Sequence, residues 1–377
     1  MAPANIALGL CIAATVLWRF AARRAGEPFL APFRWRTPVH LPIAAFVALS
    51  VVSAVFSTLP SRSLEELKGF LTFLIVPFAA ALFRDEEDVE VTLDLWRITA
   101  LVVLGRGFAE MLGGRGGLEG RLTGGLSNHM TFSGLLLPFV IVFLARALGK
   151  GRPRSGRLLD LLVAGAAMGT LVLTLTRSAW VGVAVGLIGL LVASRPRLLV
   201  FLPVVAGALL FLGPPSVTHR ALSIFDRSDE SARDRLAMWE AGMAMVKDHP
   251  LTGVGPGRVD EVYPEYRRPG YVMAHPGHLH NNMIMIAAET GLPSLAAYLW
   301  YVIAFFRHAA PGARENGRGT APLVRGAVAA MAALFVAGLF EYNFGDVEIL
   351  RVTLLLSVLP FVGTWQREGE AAGREPS

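Results

Sequence analysis

Arginine and histidine, gathered in a few short stretches, are the residues of this sequence with chemistry to offer. Arg177 stands in Leu173-Thr-Leu-Thr-Arg-Ser-Ala-Trp180, between two apolar runs joined by almost no loop, and Arg121 lies in a glycine-rich stretch, Gly113 to Gly125. Arg233 and Arg235 follow in Ser231–Val246, with Arg258, Arg267 and Arg268 further along. A guanidinium keeps its charge and presents a planar fork of donors, so it binds diphosphate through paired, charge-assisted hydrogen bonds. A cluster of them suits an anionic head group. The plain alternative is an ion pair with Asp226, Asp229, Glu230 or Asp234 in the same stretch. Arg267 and Arg268 read as side chains that simply extend to water. Arg177 is different, because an ionisable residue wedged between apolar spans is a functional candidate by default.

The run Met273-Ala-His275-Pro-Gly-His278-Leu-His280-Asn281-Asn282 supplies the second component. Imidazole accepts a proton near neutral pH, which makes these histidines candidates for a general base. A metal site is the competing reading. It is ranked lower, since no cysteine stands nearby and the HExxH spacing is absent. The plainest reading is that the segment caps the next helix, a task for which Asn281 or Asn282 is suited. Glu341-Tyr-Asn-Phe-Gly-Asp346 places acidic residues between two apolar runs. They could orient a histidine or pair with an arginine.

The elements that must position these groups are membrane spans. The chain has 377 residues, 54% hydrophobic and only 17% charged, with a mean hydropathy of +0.52. A soluble domain is usually about 25% charged. A bilayer core about 30 Å thick needs roughly 20 apolar residues per helix. Eleven stretches fit: 4–20, 39–59, 67–83, 91–112, 128–146, 158–175, 178–194, 197–213, 282–306, 322–340 and 346–364. The apolar run after Asn5 has no basic residue ahead of it, unlike a cleaved secretory signal, and reads as a retained span. The single cysteine, Cys11, excludes a disulfide framework and a cysteine zinc site.

Orientation follows from the basic loops at 21–38, 147–157, 195–197 and after 306, which alternate and so share one side. The positive-inside bias makes that side cytoplasmic and the arginine–histidine face extracytoplasmic. The same bias accounts for the net charge of +6 without invoking nucleic acid. The expected fold is therefore all-α, a polytopic helical bundle. Residues 1–213 form an N-terminal bundle of eight spans, 214–279 a long extracytoplasmic loop, 280–364 the C-terminal spans and 365–377 a cytoplasmic tail. Within the loop, Ser231–Val246 reads as an amphipathic helix at the membrane interface. Leu251-Thr-Gly-Val-Gly-Pro-Gly257 reads as a turn.

Three segments together resemble the O-antigen ligase family and the related polymerases of lipid-linked polysaccharides. They are Arg235-Leu-Ala-Met-Trp239, Asp248-His-Pro-Leu-Thr-Gly-Val-Gly-Pro-Gly257, and His280-Asn281 running into Glu289-Thr-Gly-Leu292. Arg177 matches the family's outer-face arginine, with Thr176 where serine is commoner. Ser294 stands where ligases carry glycine, threonine or tyrosine. The resemblance, strongest over roughly 120–300, implies a metal-independent, cofactor-free GT-C-type glycosyltransferase of the bacterial inner membrane. It would pass a glycan, with inversion, from undecaprenyl diphosphate to an acceptor hydroxyl in the periplasm. The acceptor is lipid A–core sugar in a ligase and a further repeat unit in a polymerase. The roles implied are Arg177 and Arg235 on the diphosphate and His280 as base. Arg121, His278, Asn281, Arg258 and Glu341 would be substrate contacts. A transporter is the rival from another class, with Arg97 and Arg106 in the fourth span as its evidence.

Overall fold

The computed structural model describes residues 37–83, 85–115, 117, 120–149, 151–224, 229–268, 275–314 and 321–362. The expected span at 4–20, most of the basic loop at 21–38 and the tail at 365–377 lie outside them. The described residues are helical, with no strand among them. In chain order the helices are α1 (His40–Val55), α2 (Pro60–Glu66), α3 (Ile75–Leu82), α4 (Glu86–Leu112), α5 (His129–Leu148), α6 (Arg154–Leu173) and α7 (Arg177–Ser194). There follow α8 (Phe201–Leu212), α9 (Pro215–Leu222), α10 (Glu230–Asp248), α11 (Val259–Tyr266), α12 (Asn282–Arg314), α13 (Ala321–Ala337) and α14 (Val347–Leu356).

Four of these are long and apolar enough to cross a bilayer: α5, α6, α7 and residues 282–313 of α12. The expected spans at 67–83 and 197–213 are composite. A 3-10 helix, Leu67–Leu74, leads into α3, where Pro77 lacks the N–H that would continue the ladder. A second 3-10 turn, Pro196–Val200, leads into α8. The piece from Pro196 to Leu212 then bends by 118° into α9. Lipid explains how α8 can keep no buried residue at all.

The bundle centres on α5, which is buried along nearly its whole length. It packs against α6 and α13, and α13 in turn packs against α7. Close approach of α7 to α13 depends on missing side chains. A Cβ at Gly182 would lie 2.6 Å from the Ala333 carbonyl oxygen, and one at Gly186 3.0 Å from that of Ala329. Small residues at such crossings let helices gain packing where lipid supplies no hydrophobic drive.

Arg97, one of the two residues that favoured a transporter, is held in an ion cluster. Its guanidinium donates to Asp160 at 2.9 Å and to Asp94 at 3.0 Å. Arg146 adds contacts to Glu90 at 2.7 Å and Asp94 at 2.6 Å, and Arg152 pairs with the same acids. This cluster ties α4, α5 and α6 together where α4 begins and α5 ends.

Candidate active site

The turn between α6 and α7 is only three residues long. Leu175 adopts a left-handed conformation (φ 56°), which lets the chain reverse at once and makes Arg177 the first residue of α7. Both terminal nitrogens of its guanidinium are engaged. One terminal nitrogen donates to the Ser223 carbonyl and hydroxyl at 2.8 and 2.9 Å. The other donates to Asp229 at 2.9 Å and to the Ser231 hydroxyl at 2.7 Å. Of the ion-pair partners anticipated for the arginines, Asp229 is the one Arg177 takes; Asp226 lies outside the described residues.

Asp229 also caps α10 by accepting from the Ala232 amide, and it accepts from Arg220 at 3.5 Å. Burial pushes its carboxyl up, but hydrogen bonds from Ser231 and Arg177 and the charges of Arg177 and Arg220 hold it down at about 2.

Arg121 is presented by the glycine-rich loop after α4. The Glu110 carboxylate staples that loop, accepting from the Thr123 amide and hydroxyl and from the amides of Gly124 and Gly125 at 2.7–3.1 Å. Both glycines have positive φ, 60° and 75°, the conformation that a converging set of amides requires. Arg121 then donates to Nε2 of His129, 2.8 Å away. Burial and the neighbouring charges of Arg177 and Arg235 lower the proton affinity of this guanidinium, which nevertheless stays ionised.

These groups face one cavity of about 520 Å³, lined by Arg115, Arg121, His129, Arg177, Arg220 and Arg235 among others. A second groove of about 290 Å³ adjoins it, sharing Arg177 and Arg235 but otherwise walled by Val181, Ile224, Leu236, Trp239 and Phe340. The pair of spaces is thus cationic at one end and apolar at the other.

Arg235 leads to the histidines. Its guanidinium lies 3.7 Å from Glu341. Both oxygens of Glu341 contact Nδ1 of His280, at 2.9 and 3.0 Å, and Nε2 of His278 is 3.7 Å away. Burial would raise the Glu341 carboxyl, yet the hydrogen bond from His280 and the charges of His280, His278 and Arg235 bring it below the ordinary carboxylate range. An ionised carboxylate can only accept, so Nδ1 of His280 donates to it, which in the neutral ring leaves the lone pair on Nε2. That nitrogen takes no hydrogen bond among the described residues. His280 sits in left-handed backbone (φ 48°), strain of the kind that accumulates at working sites.

The His278–His280 segment is pinned from both sides. Trp239 on α10 donates through its indole to the Leu279 carbonyl at 3.0 Å. Asn281 caps α12, its side-chain oxygen accepting from the Met283 and Ile284 amides and its nitrogen donating to the Leu339 carbonyl. Asn282 bonds to Asn343 at 2.7 Å and accepts from the Phe344 amide.

The glycine motif at 251–257 serves as a strap. α12 is broken at Gly291 (φ 82°), Pro293 has no amide to offer Glu289, and the Leu292 amide is diverted to Pro250. The carbonyls of Ala288 and Glu289 are left without helical donors, and the amides of Val254 and Gly255 fill those places at 2.8 Å each. The Gly257 amide adds a bond to the Glu289 carboxylate at 2.8 Å. The apolar face of α10 packs here too, with Met238, Met245, Leu279 and Met285 in one buried cluster. α10 therefore buries that face against protein as well as leaving Leu236 and Met243 exposed.

Of the residues expected from sequence, Arg121, Arg177 and Arg235 line the same cavity, and His278, His280 and Glu341 form one cluster joined to it through Arg235. Asn281 is spent on capping. Arg258 is buried, paired with Glu261 and absent from the cavity lining. Sequence reasoning missed Arg220 and His129. Arg220 sits in a polar stretch that looks like ordinary loop, and His129 directly follows a helix cap, so neither context marks it. Among the described residues, His278, His280 and Glu341 are the trio able to hold a metal ion, their ligand atoms lying within 4.8 Å of one another. Hydrogen bonding alone accounts for the contact between Glu341 and His280.

No curated protein matches the chain. Residues 161–299 match the family model described as O-Antigen ligase. That stretch runs from α6 to the middle of α12 and carries Arg177, Arg220, Arg235, His278 and His280. Over these residues, a little over a third of the chain, the protein is similar to the O-antigen ligase family.

Proposed function

We propose that this protein is a metal-independent glycosyltransferase that moves a glycan from undecaprenyl diphosphate to an acceptor hydroxyl at the periplasmic face of the inner membrane, as an O-antigen ligase does. The observation that carries the reading is convergence. Arg121, Arg177, Arg220 and Arg235, from four separate parts of the chain, line one cavity that Glu341 connects to His280. Arg115 pairs with Glu110, and the other four guanidiniums, with Asp229 and Glu341 among them, leave two positive charges over. A lipid–diphosphate–sugar carries two negative ones. The adjoining apolar groove suits the lipid end of such a donor.

In this reading the acceptor oxygen attacks the anomeric carbon, forming one C–O bond as the bond to the diphosphate breaks on the opposite side. The anomeric centre inverts. The hydroxyl proton passes to Nε2 of His280, and the electron pair leaves with the diphosphate, whose growing charge the arginines already surround. Glu341 holds the imidazole in the tautomer this needs. The test is transfer by the purified, reconstituted protein, using lipid-linked glycan extracted from cells that make it and lipid A–core as acceptor. His280→Ala should lower kcat by about 10²–10⁴-fold while undecaprenyl diphosphate still binds. Full transfer by that variant would remove the base from the scheme. Transfer onto a second lipid-linked glycan in place of lipid A–core would make the protein a polymerase.

A further inference from the structure

His278 stands beside the proposed base with no duty assigned to it beyond proximity. Its ring centroid is 4.3 Å from that of His280, edge to face. It occupies the turn that precedes the strained residue, directly after Gly277 (φ 72°). The question is what its two nitrogens do. Nδ1 accepts from the backbone amide of His280 at 3.4 Å. In a neutral imidazole the proton must then be on Nε2, which faces Glu341 at 3.7 Å. Burial disfavours the charged form of this ring, Glu341 opposes that, and the charges of His280 and Arg235 add to it, for a net lowering. Burial, the largest influence, thus favours the neutral ring, whose tautomer is the one just described.

Nδ1 is committed to the backbone of His280, while Nε2 faces, at 3.7 Å, the carboxylate that orients the His280 side chain. Nδ1 is therefore not left for an acceptor hydroxyl or a phosphate. We infer that His278 is a positioning residue: it holds His280 in its left-handed backbone and steadies Glu341, so that Nε2 of His280 points at the attacking hydroxyl. This rests on His280 being the base. It replaces the substrate contact expected from sequence with an indirect role, which acts on turnover and leaves donor binding alone.

A positioning role and a binding role predict different kinetics. His278→Ala should lower kcat about tenfold or more while the KM for lipid-linked glycan and the Kd for undecaprenyl diphosphate stay within about twofold, since an interaction made on the way to the transition state affects turnover and not uniform binding. Two conservative variants separate the two nitrogens. In His278→Asn the amide oxygen can still accept from the His280 amide, and in His278→Gln the longer side chain can still donate toward Glu341. Each should recover part of the lost kcat, with a melting temperature like that of the parent confirming the fold. A rise in KM or Kd with kcat unchanged would make His278 a substrate contact and overturn the inference. So would activity of all three variants equal to the parent. Loss of parental activity to a chelator, restored by added Zn²⁺, would make His278 a ligand instead and also overturn it. His280→Ala run alongside keeps the two ideas apart. If it is inactive while the His278 variants are normal, only the positioning role fails; if it is active, the base itself is wrong.

Discussion

At the residue scale the informative group is Asp229, because it already occupies the arginine most suited to a diphosphate. It is bound by Arg177 and Arg220, caps α10, and has its carboxyl held down at about 2. A carboxylate with a depressed pKa contributes stability above its unfolded value of about 3.9, and that contribution is lost as the pH falls toward the folded value. Stability should therefore drop between about pH 4 and pH 2 by on the order of 2 kcal/mol on this account. In Asp229→Asn that part of the pH dependence should vanish from an unfolding curve. Asparagine is as good a helix cap as aspartate, so α10 should stay formed. The same variant removes a negative charge from the cationic cavity. Undecaprenyl diphosphate should bind it several-fold more tightly, about tenfold for each 1.4 kcal/mol, as measured by titration in detergent or nanodiscs. Weaker binding would mean that Asp229 organises the arginines more than it competes for them.

At the scale of elements, the broken helix α12 and its strap decide where the histidines stand. Gly291 and Gly253 are close-approach residues. A Cβ at Gly291 would meet the Leu251 carbonyl oxygen at 2.2 Å, and one at Gly253 would meet the Glu289 backbone at 2.4 Å, each with positive φ. Gly165 in α6, by contrast, has nothing within 4 Å of where its Cβ would be. Gly291→Ala should destabilise the protein by about 2 kcal/mol or more, seen as a lowered melting temperature, from strain and clash together. Gly165→Ala should be neutral or stabilising by up to about 1 kcal/mol, because alanine is the better helix former. Equal effects would mean the strap carries no strain-sensitive load. The glycine and histidine motifs that look like separate signals in the sequence are thus one construction: the strap secures α12, and α12 begins where the histidines end.

At the scale of the whole molecule, the polar groups fall into two bodies that stand apart. One is the arginine–histidine site. The other is the ion cluster of Arg97, Arg146 and Arg152 with Glu90, Asp94 and Asp160, in which Arg146 and Asp160 are almost completely buried. Removing one partner from a buried ion pair leaves a charge without compensation, at a cost of about 3–5 kcal/mol. Arg146→Met should lose about that much stability, read as a lower unfolding midpoint in detergent. The folded fraction should still bind undecaprenyl diphosphate with parental affinity. A large loss of affinity without loss of stability would tie this cluster to the site. The cluster also weakens Arg97 as evidence for transport, since that arginine is neutralised where it stands.

Composition and span length determined the class: a chain this apolar, with most of its apolar residues in runs of span length, has few folded options other than a helical membrane bundle. The types and contexts of Arg121, Arg177, Arg235, His280 and Glu341 were enough to nominate them, because charged groups between apolar spans are costly and seldom idle. What each nominated residue does depended on tertiary contacts. Asn281 became a cap because the first amides of α12 need acceptors, and Arg258 went to Glu261 because the strap turns it away from the cavity. Arg220 and His129 joined the site from positions with no local mark. Expected spans at 67–83 and 197–213 became composite, since prolines and bends within them interrupt the helical ladder without changing hydropathy. Sequence reports which side chains lipid will not tolerate alone. Which partners they find depends on where breaks such as Gly291 and the turn at Leu175 send the chain, and only the packed fold decides that.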